Sequence, residues 1–304
     1  MTPAVLSNQS IRAGGSTIQP EVLASIQQAS ASTGVDFSYL MAQASRESAF
    51  DPSAKASTSS ATGLYQFVEQ TWLGTFKEHA GDYGYGELAD AVTKRADGHY
   101  TVSNAATRKQ ILGLRRDPTL NAAMAAELAS DNKGKMESIL GRPVSATDLH
   151  LAHFLGLSGA LRFIRKLESD PSTTGASMYP RAAAANASVF YDGNGNARTV
   201  ADIYNRMNAS ITSDQATFAS LANTPASTTE VASAPTNADA PLQGFSNPGS
   251  ILSPLLLVTI AALPLANDDE EKSAGNTTYS GLRHGAIHPH INPSVNPMGA
   301  LGLG

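Results

Sequence analysis

The amino-acid sequence predicts a mainly α-helical domain followed by a long low-complexity tail. Before about residue 213, apolar residues recur at the i, i+3, i+4, i+7 spacing of amphipathic helices, and strand-like alternation is nearly absent. After that position the chain consists largely of Ala, Ser, Thr, Pro and Asn, the composition of a disordered segment. We therefore expect a flexible leader over residues 1–17, a helical domain over 18–212 and a disordered tail over 213–304.

The composition limits the classes of function. The 304 residues are 41% hydrophobic, which is enough for one domain with a packed core and accessory segments. The formal net charge of −5 leaves no basic stripe to neutralise phosphates, so we expect no nucleic-acid partner. With 0 cysteines, disulfides, thiolate metal sites and cysteine nucleophiles are excluded. Residues 1–16 lack the continuous apolar region of a secretory signal, so the sequence shows no export route.

The first two helices have readable beginnings and ends. Pro20 begins the first helix and Gly34 ends it. Asp36 is a plausible N-cap of the second helix, whose apolar face follows the helical period. That face consists of Phe37, Leu40, Met41 and Ala44. At 100° per residue Glu47 projects only about 20° from Leu40, at the edge of the buried face. Arg46 points to the opposite side, and Pro52 is expected to end this helix.

Further helices follow along the chain. Helical patterns cover residues 69–79, 104–115, 118–140, 145–155 and 158–168. The pair Asp117–Pro118 is a start signal, and Gly141 is a stop signal. Thr199 is a candidate cap for a last helix through Ile203 and Met207. The glycine-rich residues 81–86 follow no strand, so they are not a phosphate loop, and a flexible turn is favoured over a cleft loop whose tyrosines stack on sugars.

Glu47 is the candidate catalytic residue. Cleavage of a glycosidic bond needs an acid that stays protonated near neutral pH, and burial beside apolar groups favours the uncharged form of a carboxyl group. A glutamate at the end of an apolar helix and close to Phe50 suits that task. The alternative is an exposed helix-end glutamate that pairs with Arg46 or Lys55, since most glutamates are solvated.

Two short motifs resemble those of a known enzyme family. Glu47-Ser48 stands at a helix end, and Gly63-Leu64-Tyr65-Gln66 follows after a Ser/Thr-rich loop. Together they resemble the soluble lytic transglycosylase family of the goose-type lysozyme fold, which carries a Glu-Ser pair and then Gly-Leu-Met-Gln. Tyr65 replaces the methionine of that pattern. The resemblance extends over roughly residues 20–167.

The third motif of that family departs from its pattern here. The family has Ala-Tyr-Asn-Ala-Gly, whereas residues 152–156 read Ala-His-Phe-Leu-Gly, with His153 for tyrosine and Phe154 for asparagine. An imidazole can donate or accept a hydrogen bond, as a phenol does, but it titrates near neutral pH. The alternative for His153 is a packed polar residue on a buried helix. The family also has a cleft tyrosine near its C-terminal end, for which Tyr179 and Tyr191 are both candidates.

The resemblance implies a fold, a substrate and a reaction. The fold would be a mainly α, lysozyme-like domain with a substrate cleft, and the substrate would be the glycan strands of peptidoglycan. Glu47 would protonate the oxygen between N-acetylmuramic acid and N-acetylglucosamine, and would then deprotonate the muramoyl C6 hydroxyl to give a 1,6-anhydro product. Its substrate-binding residues would correspond to Ser48, Gly63, Leu64, Tyr65, Gln66, His153 and Phe154. No metal or organic cofactor is implied.

Two alternatives remain open at this point. A hydrolytic muramidase on the same fold would need a second carboxylate, and the candidates are Asp51, Glu69, Asp82 and Asp90. Asp51 also fits a cap of the turn at Pro52, and Glu69 also fits the first turn of the next helix. A protein with weak catalysis that docks on the cell wall would instead keep the fold and recruit partners with its tail.

The tail and the cellular location complete the expectations. An apolar run over residues 251–266 contains Pro254 and Pro264 and is short for a membrane span. It suggests a contact of the tail with a protein partner or a membrane. The histidines of the tail, His284, His288 and His290, lie in low-complexity sequence that does not favour a metal site. A peptidoglycan substrate would place the protein in the periplasm or elsewhere in the bacterial envelope.

Overall fold

The computed structural model describes residues 10–224, and these residues form a mainly helical domain with a cleft. The predicted fold class is therefore confirmed for this part of the chain. The predicted disordered tail, its apolar run at 251–266 and its histidines lie outside the described residues. Within the described range, no helix is long and apolar enough to cross a membrane.

The described chain contains eleven α-helices and two short β-hairpins. In chain order the helices are α1 (Pro20–Thr33), α2 (Phe37–Ser48), α3 (Glu69–His79), α4 (Gly86–Asp90), α5 (Ala105–Gly113), α6 (Pro118–Leu140), α7 (Ala146–Ser169), α8 (Gly175–Met178), α9 (Pro180–Ala185), α10 (Ala187–Phe190) and α11 (Val200–Phe218). The hairpins pair β1 (Ile11–Ala13) with β2 (Ser16–Ile18) and β3 (Val92–Lys94) with β4 (Tyr100–Val102), both antiparallel. Short 3₁₀ turns cover Ala80–Tyr83, Leu114–Arg116 and Ala219–Asn223.

The predicted helix beginnings are confirmed by their hydrogen bonds. The Asp36 carboxylate caps α2 by accepting the backbone N–H of Tyr39 at 2.8 Å. Thr199 caps α11 and forms a reciprocal capping box with Asp202, which satisfies two otherwise free N–H groups. Asp117 caps α6 in the same way as Asp36 caps α2, through the N–H of Leu120.

Four expectations about boundaries were wrong. The chain over residues 11–18 is a hairpin whose Ile18 side chain is buried, so this part is not a flexible leader. The domain boundary expected at 212 falls inside α11, whose Phe218 packs edge-to-face on Phe50 with ring centroids 5.5 Å apart. Residues 80–90 form a 3₁₀ turn and α4, and the Tyr83 hydroxyl donates to Glu127 at 2.7 Å. Neither this regular backbone nor the Tyr83 hydrogen bond fits the flexible turn that was expected at residues 81–86.

The fourth correction concerns the end of α2. The helix ends at Ser48, before Pro52 is reached, because Ala49 and Phe50 adopt left-handed backbone angles with φ of 51° and 67°. The Ala49 N–H still closes the last turn on the carbonyls of Ala44 and Ser45. Pro52 therefore lies in the following turn and does not end the helix.

Two buried cores flank the cleft. The first core joins α1, α2, α3 and α6, and its largest buried side chains include Trp72 and Phe76. The second core lies under the C-terminal half of α7 and the short helices α8, α9 and α10, and it includes Phe163 and Phe190. The two helices expected over 145–155 and 158–168 are confirmed: they are the two parts of α7, which meet at Gly156, where the backbone is not helical (φ 71°, ψ 165°). Residues on both sides of Gly156, such as Phe154 and Phe163, pack in the second core.

Candidate active site

A cavity of about 220 Å³ lies where α2, α6 and α7 meet the turn at residues 63–66. Its walls are largely apolar, with side chains such as Leu40, Phe67, Leu128 and Leu149. A few polar groups converge on it, namely Tyr39, Gln43, Gln66, Asn132 and His153. An apolar cleft with a small set of polar groups is the usual form of a small-molecule or saccharide site.

Glu47 lies next to this cavity, in hydrogen-bond contact with the lining residue His153, and is almost completely buried. Its side chain is 4% exposed, and its Oε1 lies 2.9 Å from Nε2 of His153, within hydrogen-bond distance. Its Oε2 is buried and has no hydrogen-bond partner among the described residues. A buried oxygen without a hydrogen-bond partner costs free energy, and more so when the carboxyl group is charged. Stability of the fold therefore does not explain why a glutamate stands at this position.

The structural alternative for Glu47 was a surface ion pair, and it is wrong. Arg46 points away from Glu47 and binds α11, with Nε donating to Asp214 Oδ2 at 2.6 Å and Nη2 donating to Ser210 Oγ at 2.6 Å. Lys55 takes part in a backbone bridge with Thr62. Glu47 faces the inside of the molecule, at the edge of the apolar stripe of α2.

The turn at residues 63–66 is determined by its backbone. Gly63 has a φ of 90°, and a Cβ atom there would lie 1.9 Å from the carbonyl oxygen of Arg115, so only glycine fits. Gln66 also has a positive φ, of 48°, and its side-chain Nε2 donates to the carbonyls of Gly63 and Ala54. The Tyr65 N–H donates to Asn121 Oδ1 at 2.9 Å. These bonds hold the turn against α6.

Ser48 links this turn to the end of α2. Its hydroxyl donates to the carbonyl of Leu64 at 2.7 Å, while the Leu64 side chain is fully buried in the first core. Ser48, Gly63 and Leu64 do not line the cavity. In the structure these three residues fix the wall on which Gln66 and Tyr65 are presented, and their expected substrate contacts stay a prediction.

Two tyrosines form the floor near Glu47. The Tyr65 hydroxyl donates to the Leu40 carbonyl at 3.1 Å, and Tyr39 accepts a hydrogen bond from Gln43 Nε2 at 2.8 Å. Burial raises the pKa of Tyr65 well above its ordinary value, with a smaller contribution from Tyr39. Burial also raises the pKa of Tyr39, so both phenols keep their protons across the neutral range.

Two stacked imidazoles lie on α7, and one of them, His153, lines the cavity. His150 and His153 stand one turn apart on α7 with ring centroids 6.1 Å apart and an interplanar angle of 22°. Gln43 Nε2 lies 3.3 Å from Nδ1 of His150. Burial holds the pKa of His150 well below its usual range, with smaller contributions from the charges of His153 and Arg46. His150 is therefore neutral at physiological pH.

Three aromatic residues expected at the cleft lie elsewhere. Phe154 is 1% exposed, packs against Phe190 in the second core and does not line the cavity. The Tyr179 hydroxyl donates to the Gly159 carbonyl at 2.8 Å, and the ring stacks on Phe163. Neither Tyr179 nor Tyr191 lines the cavity. Helical geometry explains why the Phe154 side chain points away from the cavity, because successive residues of a helix differ in direction by 100° and His153 faces the cavity.

Sequence reasoning missed Tyr39, Gln43 and His150. A signal for the first two was present, since Tyr39, Gln43 and Glu47 follow one another at i, i+4 and i+8 on one face of α2. The spacing of His150 and His153 is i, i+3, which also places both rings on one face of a helix. The contact between the two faces joins distant parts of the chain and could not be read from local spacing.

The four candidate second carboxylates have other contacts. Asp51 accepts the N–H of Ser53 at 2.8 Å in an Asx turn, and Glu69 pairs with Arg108. Asp90 lies 3.3 Å from Lys77 Nζ, and Asp82 sits in the exposed 3₁₀ turn that precedes α4. None of the residues that line the cavity within the described range is an aspartate or a glutamate.

One cluster elsewhere has the residue types of a metal site. The ligand atoms of Glu78, His79 and Asp131 lie within 4.8 Å of one another. His79 is already within ion-pair distance of both Asp131, at 3.3 Å, and Glu127, at 3.5 Å. The cluster does not line the cavity.

The end of α2 and residues 63–66 form what we call the first wall of the cavity. The residues that shape this wall lie in one part of the chain. This part extends from α1 to β3 and includes Glu47, Ser48 and residues 63–66. Residues 24–93 match the family model of the transglycosylase SLT domain. The match confirms the resemblance seen in the first two motifs, and it supports a lytic transglycosylase-like function on peptidoglycan in general terms. The third motif, at residues 152–156, lies outside the matched SLT segment.

The SLT match also indicates the general partner and location. SLT domain proteins act on the bacterial cell wall, which fits glycan strands as the substrate and the periplasm or envelope as the compartment. The match does not identify the bond that is cleaved or the residue that cleaves it.

Proposed function

We propose that this protein is a peptidoglycan lytic transglycosylase in which Glu47 is the single general acid and base. The observation that carries the proposal is the buried Glu47 carboxyl group, which stands within an SLT-matched segment and contacts His153, a residue that lines a cavity without any carboxylate of the described chain in its lining. We assign the activity to the helical domain within the described residues.

The reaction needs one carboxyl group in two successive roles. In its acid form Glu47 gives its proton to the glycosidic oxygen between N-acetylmuramic acid and N-acetylglucosamine, and the C1–O bond breaks. As a carboxylate it then takes the proton of the muramoyl C6 hydroxyl, whose oxygen bonds to C1 of the same sugar. The products are a free 4-hydroxyl on one strand and a 1,6-anhydro-muramoyl end on the other. No water is consumed, and Glu47 regains its proton.

Burial makes Glu47 suited to both roles. A carboxyl group in a dry site exchanges its proton with the substrate without competition from bulk water. The polar groups that converge on the cavity, such as Gln66, Asn132 and Gln43, suit hydroxyl and acetamido groups of a saccharide. The apolar side chains of Leu40, Phe67 and Leu128 offer packing surfaces for the C–H faces of sugar rings.

A hydrolytic muramidase is the nearest rival, and the contacts of its candidate second carboxylates argue against it. Ordinary glycosidases place two carboxyl groups about 5–9.5 Å apart across the scissile bond. Asp51, Glu69 and Asp90 are held by Ser53, Arg108 and Lys77 respectively, and Asp82 lies in an exposed turn. A wall-docking protein without turnover is the second rival.

A digest of purified peptidoglycan by the full chain, with products analysed by mass spectrometry, tests the proposal. We expect muropeptides that end in 1,6-anhydro-muramic acid, and we expect Glu47→Gln to reduce their rate of formation by about 10²–10⁴-fold. The matched control is Asp90→Asn, the same loss of charge at an exposed carboxylate outside the cavity. It should keep the rate of the native protein.

The other outcomes identify the rivals. Products about 18 Da heavier, with a reducing end from added water, would show a hydrolase and overturn the transglycosylase proposal. Binding to peptidoglycan by both the native chain and Glu47→Gln, with no product from either, would show a docking protein.

A further inference from the structure

His153 stands between Glu47 and the cavity. The His153 side chain lines the cavity and is 30% exposed, whereas the Glu47 side chain is 4% exposed and is not part of the lining. The Nε2–Oε1 distance of 2.9 Å is the only hydrogen-bond contact of the Glu47 carboxyl group among the described residues. Among the described residues, His153 is therefore the one lining side chain that forms a hydrogen bond with Glu47.

The contact holds one proton between two groups that can each carry it. With one proton on the pair, either a carboxylic acid donates to a neutral imidazole, or an imidazolium donates to a carboxylate. Imidazole is in general the stronger base, which favours the second form in water. Burial of the unpartnered Oε2 favours the first form, because it leaves a charged carboxylate poorly compensated.

Among residues 10–224, the groups that surround His153 add no competing charge within contact. Its neighbour on α7, His150, is neutral because burial lowers its pKa, and Gln43 lies against His150 Nδ1. From α2, the phenol of Tyr39 remains protonated, since burial raises its pKa. Arg46, also on α2, is directed to Asp214 and Ser210 on the far side of the helix. The proton is therefore shared within one pair.

We propose that His153 is a positioning residue for Glu47, which holds the carboxyl group by a shared proton and so sets the pH range in which Glu47 keeps the proton it gives to the substrate. The inference rests on the proposed function. A phenol at position 153 would donate a hydrogen bond to Glu47 without competing for its proton near neutral pH. The imidazole therefore gives this chain a pH dependence that a tyrosine would not.

The direction of the effect follows from the proton count. In the native pair, Glu47 and His153 share one proton until the pair as a whole loses it. The alkaline fall of the rate is therefore set by the macroscopic pKa of the pair and not by Glu47 alone. When residue 153 cannot hold a proton, the fall in rate is set by Glu47 alone and begins at lower pH. We expect His153→Gln, which keeps an N–H donor, to move the alkaline fall of the rate towards acid by about one pH unit or more.

Two further variants separate proton sharing from simple contact. His153→Tyr should show the same acid-ward movement as His153→Gln while keeping a hydrogen-bond donor. His79→Gln is the matched control, because His79 also lies within 3.3 Å of a carboxylate, Asp131, but does not line the cavity. It should leave the pH profile unchanged. Variants at position 153 with the native profile would overturn the inference.

A second measurement does not depend on turnover. In the full chain with ¹⁵N-labelled histidine, the pair predicts a low-field, exchange-protected proton in the hydrogen bond between His153 Nε2 and Glu47 Oε1, seen by NMR. This signal should disappear in Glu47→Gln and persist in His79→Gln. Its absence from the native chain, or its persistence in Glu47→Gln, would overturn the inference. A native chain with this signal but no anhydro product would instead contradict the proposed function and leave the pair intact.

Discussion

The two walls of the cavity are built in different ways. The first wall, formed by the end of α2 and residues 63–66, is fixed by backbone contacts such as the bonds of Ser48 to Leu64 and of Tyr65 to Asn121. The second wall, residues 152–157 of α7, is held by packing on the second core and by one backbone bend. Side-chain identity is thus more constrained in the first wall, and this chain departs from the family pattern more in the second.

The strongest test of this contrast is Gly63→Ala in the first wall. A Cβ atom would lie 1.9 Å from a backbone carbonyl of Arg115, and alanine disfavours a φ of 90°. We expect the free energy of unfolding to fall by about 4 kcal/mol or more, since neither backbone can move without breaking the turn. Urea unfolding followed by circular dichroism measures this loss.

Gly134→Ala on α6 is the matched control for Gly63→Ala. No atom lies within 4 Å of a Cβ there, and the residue is inside a helix. The same substitution should stabilise the protein, by up to about 1 kcal/mol. A loss at Gly63 no larger than about 1 kcal/mol would mean that the turn relaxes and that the first wall is not fixed by its backbone.

The first wall could be predicted because its signals are local. Pro20, Gly34 and Asp36 bound the first two helices, and a period of 3.6 residues places Glu47 at the edge of the buried face. The motifs that carry the family resemblance lie in the same segment. The end of α2 was predicted wrongly, because nothing in the sequence indicates that Ala49 adopts a left-handed backbone conformation.

The second wall could not be predicted because it depends on contacts between distant residues. Phe154 and His153 are neighbours in sequence but face the second core and the cavity respectively. Which of the two faces Glu47 depends on the rotation of α7 relative to α2, and the sequence of α7 is apolar on both of its sides. The break at Gly156 is the part of this wall that the sequence did predict, since Gly156 falls between the helices expected over 145–155 and 158–168.

A smaller effect is expected at the bend of the second wall. Gly156 has φ 71° and ψ 165°, a region open almost only to glycine, but no atom lies within 4 Å of a Cβ. Gly156→Ala should therefore cost about 1–3 kcal/mol through backbone strain alone. Because Gly156 and Leu157 line the cavity, KM for peptidoglycan should also rise.

Unfolding in urea and peptidoglycan kinetics, measured on the same preparation, check the Gly156→Ala prediction. Gly159→Ala is a less suitable control, since its Cβ would lie 2.8 Å from Leu155. Gly134→Ala again serves, as an open helical site remote from the cavity lining. A loss in the free energy of unfolding larger than that of Gly63→Ala would contradict the view that the backbone constrains the first wall more than the second.

The smallest effect concerns the bond that joins the two parts of the first wall. Ser48→Ala removes the donor to the Leu64 carbonyl and leaves a buried acceptor without that partner. We expect a loss of about 1–2 kcal/mol in the free energy of unfolding and less than a tenfold change in rate, because Ser48 does not line the cavity. Ser53→Ala, which removes a 2.7 Å bond to Asp51 at an exposed turn, is the control and should cost less than about 0.5 kcal/mol. A large loss of rate in Ser48→Ala at unchanged stability would show instead that the hydroxyl contacts the substrate or Glu47 during turnover.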